Sequence, residues 1–182
     1  MEPGTGLDNV LKMKKRAKLL LSQELGLSPK KLLLGIFLDK NLTKKKELEV
    51  VSMVIEGIEA VDIEVVLLAD NKINSFGDHV HHLSYNRKNR HKLLEAADLA
   101  LTFSFSDVEE MLLNGVIPVS SERVDVEDYN PNRETGNGFV YKTNTHWGIF
   151  AALVRASETF KFPYDWKHIV RSGVYSVDKT SS

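Results

Sequence analysis

The stretch that decides the fold is Leu93–Glu122, LLEAADLALTFSFSDVEEMLLNGVIPVSSE. It contains the end of a helix, an apolar run at 99–104, a helical segment closed by Gly115 and a second apolar run at 116–121. Short continuous apolar runs are typical of strands buried on both faces, and glycine commonly follows the last residue of a helix. A strand, a crossover helix and another strand predict two parallel strands of one sheet.

The same alternation extends in both directions from this stretch. Leu7, Lys14 and Leu21 fall on one face of an N-terminal helix that we expect to stop at Gly26. The remaining predicted strands are 31–39, 61–70, 79–85 and 138–142. The remaining predicted helices are 42–61, 89–98, 146–161 and a short final helix at 164–176. We expect Thr43 to be the N-cap of the first of these helices, and the second to start near Asn86 or Asn89.

This order predicts an α/β fold: a single Rossmann-like domain over residues 1–182, with a doubly wound, mainly parallel sheet and a C-terminal helical extension. Residues 1–30 are interpreted as an N-terminal linker helix, and 164–182 as the C-terminal helix and tail. Ligands of such sheets bind beyond the carboxyl ends of the strands, near the point where the strand order reverses.

Composition restricts the function classes. The chain has 182 residues, 42% of them apolar and 27% charged, with a formal net charge of −1. A balanced charge gives no reason to expect nucleic acid or membrane as a partner. The sequence has no cysteine, which excludes disulfides, thiol nucleophiles and cysteine-ligated metals. We expect a cytoplasmic protein, because the sequence shows neither a membrane span nor a signal pattern.

Three conspicuous patterns are interpreted as structural. His79 and His81 could share one strand face, but no carboxylate stands at ligand spacing, so we predict no metal site. The TGNG run at 135–138 is interpreted as the turn before the final strand. Trp147, Phe150 and Val154 form a helical stripe that we assign to the core.

Four segments carry a family resemblance: KRAKLLLSQELGL (15–27), LLEAADLALTFS (93–104, ending in a buried Asp and a strand), NGVIPV (114–119), and the run from VEDYN to VRSGV (126–174). Together they resemble the C-terminal half of bacterial glycogen and starch synthases, in shortened and degenerate form. The family consists of glycosyltransferases with two Rossmann-like domains, which move glucose from a nucleoside diphosphate sugar to a growing glucan. The resemblance implies no cofactor, UDP- or ADP-glucose as donor ligand, and a glucan or a separate acceptor-domain protein as partner.

The resemblance also implies where the diphosphate would bind. Sugar transfer leaves negative charge on the departing diphosphate, which needs fixed cations and backbone N–H groups. The family places an Arg and a Lys on the loop after the first strand of this domain. Lys46 matches the family Lys, whereas Asn41 stands at the position of the Arg, with Lys40 beside it. Alternatively, Lys44, Lys45 and Lys46 are surface lysines in the first turn of a helix.

Ser104 and Glu110 complete the set of candidate nucleotide-sugar-binding residues. Ser104 matches a family Ser after the strand, and Glu110 matches the family's ribose-binding Glu. Alternatively, Glu110 stands three residues after Asp107, the spacing of a capping box. With Glu109, these residues place three carboxylates at a helix start, which stabilise the helix and oppose a phosphate.

The loops after the 99–104 and 116–121 strands lack the glycines that the family has there. We therefore assign no catalytic residue and expect a donor-type domain without independent activity. Two alternatives remain open: the donor-binding half of a split glycosyltransferase, and a non-enzymatic interaction module that keeps the fold.

Overall fold

The structure is a computed structural model that describes residues 3–39, 41–70, 77, 79–143 and 145–180, and within them the side chains from residue 6 to residue 177. In chain order, the elements are α1 (Pro3–Leu25), β1 (Leu32–Phe37), α2 (Lys45–Ile58), β2 (Ile63–Ala69), β3 (Val80–Ser84), α3 (Arg87–Ala96), β4 (Leu99–Leu101), α4 (Val108–Leu113), β5 (Ile117–Ser120), β6 (Phe139–Val140), α5 (His146–Phe160) and α6 (Pro163–Thr180).

The six strands form one sheet in the order β3-β2-β1-β4-β5-β6, and every pairing is parallel. This confirms the doubly wound Rossmann-like prediction, because the chain leaves β1 outward through β2 and β3 and returns to the other side of β1 through β4. The reversal of strand order lies between β1 and β4. The parallel pairing of β4 with β5 confirms the prediction made from the Leu93–Glu122 stretch.

Both faces of the sheet are covered. Along β1, Leu34 and Ile36 belong to the core cluster shared with α2, α5 and α6, whereas Leu33 belongs to the cluster shared with α1 and α3. Gly35 faces α3 so closely that a Cβ there would lie 3.2 Å from Ala97 Cβ. The continuous apolar runs therefore are strands buried on both faces, as predicted.

Several boundaries differ from the prediction. The N-cap of α2 is Lys44 rather than Thr43, and its N–H donates to the Glu47 carboxylate at 2.7 Å. This bond sets the start of the helix one residue later than Thr43 suggested. The N-cap of α3 is Asn86, whose side chain accepts from Asn89 N–H at 2.8 Å.

The final helix is not short: α6 runs from Pro163 to Thr180. Its apolar positions continue at helical spacing past the predicted end, and Val170 and Val177 are buried. Val177 and Leu112 of α4 belong to one core cluster, so α6 is held by α4 as well as by α5.

Trp147 was wrongly assigned to the core. Its side chain is 70% exposed, because the buried face of α5 consists of Ile149, Ala152, Leu153 and Ala156. The predicted stripe through Trp147 and Phe150 is therefore offset from the face that meets the sheet.

The TGNG turn is confirmed. Thr135 bridges to Asn130, and Gly136 adopts a φ of 104°, which only glycine tolerates easily. A Cβ on Gly136 would lie 2.6 Å from the Asp128 carbonyl oxygen. The turn thus packs against the backbone of Asp128 and Tyr129 and precedes β6, as expected.

Candidate functional site

A cleft of about 480 Å³ opens at the carboxyl ends of the strands, beside the reversal of strand order. It is bounded by the start of α2, by the loop that follows β4, by the loop that follows β5 and by the start of α5. This is the edge where doubly wound sheets bind their ligands. Its charged lining consists of three cations, Lys44, Lys46 and Arg123, and one carboxylate, Glu47.

Lys44 and Lys46 stand at the start of α2, a helix of 14 residues. Both side chains line the cleft, whereas Lys45 between them does not; its side chain is 91% exposed and lies 4.0 Å from Glu49. Residues one apart on a helix point in different directions, so the lysine run divides into two cleft cations and one solvated cation. The positive end of the helix backbone adds to the cationic character of this wall.

The opposite wall is a compact turn after β4 that carries hydroxyl groups. The Thr102 hydroxyl donates to Val119 C=O at 3.0 Å, and Phe103 N–H donates to the Ser106 hydroxyl at 2.8 Å. Ser104 lies between them, exposed and lining the cleft. Hydrogen bonds within the turn therefore fix the backbone that presents Ser104.

Tyr141 and Ser121 contribute further hydroxyls from the far side of the cleft. Burial raises the pKa of the Tyr141 phenol, and hydrogen bonding with Ser121 opposes that rise. Close by in the chain, the buried hydroxyls of Thr43 and Ser120 have no hydrogen-bond partner among the described residues.

Arg123 is the residue that sequence reasoning missed. It lies in the loop after β5, where its Nη1 donates to Phe103 C=O at 3.2 Å and thereby ties that loop to the β4 turn. Its Nε and Nη2 donate to the two carboxylate oxygens of Asp125 at 2.8 and 2.9 Å. The Arg123 hydrogen bond holds the pKa of Asp125 below its ordinary value. An arginine where the family has glycines was the only signal in the sequence.

Glu110 lies at the start of α4 and does not line the cleft. Its N–H donates to the Asp107 carboxylate at 3.0 Å, which confirms Asp107 as the helix cap. Its own carboxylate is gripped by both terminal nitrogens of Arg90 on α3; Arg90 Nη1 lies 3.0 Å from Oε1. The Arg90 hydrogen bond lowers the pKa of Glu110.

Asn41 lies in a second, smaller depression of about 200 Å³, with Asp39, Asp70 and Tyr85. This depression is separate from the main cleft, although both adjoin the loop after β1. The position that corresponds to the family Arg therefore faces a carboxylate-rich hollow in this chain. Burial, followed by the charge of Asp39, raises the pKa of Tyr85 there.

The structure thus brings two of the four candidate residues together: Lys46 and Ser104 share the cleft, Glu110 lies outside it, and Lys40 lies outside the described residues. His79 precedes β3, and its Nδ1 lies 2.7 Å from the Glu59 carboxylate. Within the described ranges, no group of three or more His, Asp or Glu side chains is placed to hold a metal ion. Among the described helices, none is both long and apolar enough to cross a membrane.

Solved structures of glycosyltransferases share this fold over part or all of their length. The catalytic domain of starch synthase IV from Arabidopsis thaliana, bound to ADP and acarbose, superposes with a TM-score of 0.70 at 21% identity, over 92% of this chain and 41% of that one. Anabaena HepE in complex with UDP and glucose gives 0.65 at 14% identity, over 90% and 48%. The C-terminal domain of a group 1 glycosyltransferase, LpcC from Francisella tularensis, gives 0.64 at 12%, over 93% of both chains.

These likenesses confirm, at the level of the fold, the resemblance to the C-terminal half of starch synthases. The chain spans less than half the length of the starch synthase and of HepE. No protein-family model matches the sequence, and no curated protein matches it.

Proposed function

We propose that this chain is the donor-binding domain of a glycogen- or starch-synthase-like glycosyltransferase, and that the cleft binds the diphosphate of UDP- or ADP-glucose. The observation that carries the proposal is the position of three cations, Lys44, Lys46 and Arg123, at the carboxyl edge beside the strand reversal. A diphosphate is the ligand group that such a cluster, together with a helix start, favours most. The neighbours bound to ADP and to UDP support the nucleotide class.

Each candidate residue has a defined part in this proposal. Lys46 supplies charge to the diphosphate, and Ser104 supplies a hydroxyl for a phosphate or sugar oxygen. Lys40, next to the β1 end, is proposed as an additional cation. Glu110 accepts ribose hydroxyls with the lone pairs that Arg90 leaves unused, since a carboxylate offers about four acceptor sites.

We further propose that the chain does not transfer sugar by itself. The turns after β4 (102–107) and β5 (121–125) contain no glycine. Side chains therefore stand where glycines would let the backbone approach the donor closely. Three carboxylates at the α4 start also oppose a phosphate there. The proposed partner is a glucan or a separate acceptor-domain protein.

Calorimetric titration of UDP, ADP and their glucose conjugates tests the proposal. We expect a dissociation constant in the micromolar to low millimolar range. Replacing Lys46 by Ala should weaken binding about tenfold, because hydrogen bonds to charged groups contribute about 1.5–3 kcal/mol. Lys45→Ala is the matched control, since this substitution removes the same charge from the adjacent position, which lies outside the cleft. Equal effects of the two substitutions, or no heat at millimolar ligand, contradict donor binding.

A partner-binding role is the second candidate, and exposed apolar side chains favour it. Leu42, Val124 and Trp147 are exposed, and they follow β1, β5 and β6, respectively, at the carboxyl edge. This is the side of the sheet on which the cleft opens, so a protein docked there would close it. The emission of Trp147 in a Trp166→Phe variant tests this candidate: a blue shift on adding an acceptor-domain polypeptide supports docking, and an unchanged spectrum opposes it.

A further inference from the structure

The cleft contains a guanidinium group, although this chain has no arginine at the position where the family has one. Asn41 occupies that position and faces the separate hollow with Asp39 and Asp70. Arg123 reaches the cleft from the loop after β5, on the other side of the strand reversal. Its side chain is 24% exposed, so it is held by the protein and still reachable from solvent.

The hydrogen bonds of Arg123 leave part of its guanidinium available. A guanidinium has five N–H groups. Three of them are used, one by Phe103 C=O and two by the Asp125 carboxylate, so two remain without a protein acceptor among the described residues. The bond to Phe103 fixes the group against the turn that presents Ser104. The group is therefore preorganised rather than free to swing into solvent.

The Asp125 carboxylate accepts hydrogen bonds from the Arg123 guanidinium in the same geometry that a phosphate would use. Its two oxygens accept from Nε and Nη2, the side-on fork that also matches two phosphate oxygens. Asp125 belongs to the same loop and is itself exposed. The pair is accessible to competing anions, because the Asp125 side chain is 41% exposed. A diphosphate carries more charge and can displace it.

We propose that Arg123 binds the diphosphate group of the donor and that Asp125 is a resident counter-anion with which the ligand competes. The proposal rests on the proposed function, because it concerns the same cleft. It assigns the guanidinium of the site to the β5–β6 loop instead of the loop after β1. It also implies that Arg123 strengthens diphosphate binding, whereas Asp125 weakens it.

Calorimetry with inorganic pyrophosphate, UDP and ADP tests these opposite directions. Arg123→Gln should raise the dissociation constants of all three ligands about tenfold or more, because it removes charge-assisted hydrogen bonds. Arg123→Lys keeps the charge without the fork and should lie between wild type and Arg123→Gln. Asp125→Asn should lower the dissociation constants several-fold, and the double variant should behave as Arg123→Gln does. Arg133→Gln, an exposed arginine of the same connection outside the cleft, is the matched control.

The outcomes separate this inference from the proposed function. If UDP binds and depends on Lys46 but not on Arg123, the inference is wrong and donor binding stands. If pyrophosphate follows the expected series but UDP and ADP bind no tighter than pyrophosphate, Arg123 is an anion site and the donor proposal is wrong. If Asp125→Asn weakens binding, Asp125 positions the arginine and does not compete. Absence of binding to both wild type and Asp125→Asn overturns both. Thermal unfolding of each variant checks that the β4 turn has survived loss of the Phe103 bond.

Discussion

The ammonium group of Lys18 on α1 donates a 2.6 Å hydrogen bond to the carboxylate of Asp98, and the two side chains are only 9% and 8% exposed. The same carboxylate accepts the N–H of Leu33 at 2.8 Å, and Lys18 also donates to Lys31 C=O at 2.6 Å. Asp98 is the buried Asp of the family resemblance. One pair of charges therefore fixes α1 to the beginnings of β1 and β4.

Breaking this pair should be costly. Asp98→Asn leaves a buried ammonium without its anion, and we expect a loss of about 3–5 kcal/mol in the free energy of unfolding. Urea denaturation measures it. Glu24→Gln is the control, because Glu24 pairs with Lys92 of α3 at 2.8 Å on the surface, where such pairs contribute less than about 1 kcal/mol. Similar losses in the two variants would show that Asp98 is not the anchor of α1.

Lys14, one turn before Lys18, should make stability rise with pH. Burial lowers its pKa from 10.5 to about 8, although its ammonium donates to the carbonyl groups of Glu95 and Ala97. Between those two values the unfolded chain binds more protons than the native one, so the free energy of unfolding increases with pH. We expect this increase from about pH 8 to 10, and its loss in Lys14→Met. A parallel pH dependence in the two proteins would contradict the depressed pKa.

Above about pH 10 the sign reverses. Burial, with the negative charge of Asp165, raises the pKa of Tyr129 from 10.0 to about 12. The native state then holds a proton that the unfolded chain has lost, so stability falls as the pH rises through that interval. In Tyr129→Phe we expect a shallower fall, measured by urea denaturation at pH 10 and 11. An equally steep fall in the variant would assign the effect to other groups.

The strands were predictable because a strand buried on both faces needs apolar residues at successive positions, which produces uninterrupted apolar runs such as 31–39. Helix starts were less so: Thr43 has the preferred cap chemistry, yet the bond from Lys44 N–H to Glu47 decides the boundary. The assignment of Trp147 to the core was wrong because α5 has two apolar stripes. Only the tertiary structure selects the stripe that packs against the sheet.

The site was only partly predictable for a related reason. Lys46 is local to a strand end and a helix start, which sequence patterns reveal. Arg123 reaches the cleft through a long irregular connection between β5 and β6, and its role depends on contact with Phe103, 20 residues away in the chain. No periodicity encodes that contact.

Gly136 should be the least replaceable glycine of that connection. Its φ of 104° is unfavourable for residues with a Cβ, and the added carbon would meet Tyr129 Cα at 2.6 Å. Gly136→Ala should therefore cost about 2 kcal/mol or more. Gly6→Ala is the opposite case: at this exposed position of α1 no atom lies within 4 Å of the new Cβ, and we expect about 0.5–1 kcal/mol of stabilisation. Thermal and urea unfolding of both variants give the comparison.

Glu110 should matter to the nucleoside and not to the diphosphate. If its remaining lone pairs accept ribose hydroxyls, Glu110→Gln should raise the dissociation constants of UDP and ADP about tenfold and leave that of pyrophosphate unchanged. Glu109→Gln removes the same charge from the same exposed helix turn and is the control. Since Arg90 grips the Glu110 carboxylate, Glu110→Gln should also lower stability, by about 1 kcal/mol for a pair one-third exposed. If the variant loses stability but binds UDP as Glu109→Gln does, Glu110 is only an ion-pair partner of α3, and another residue must accept the ribose hydroxyls.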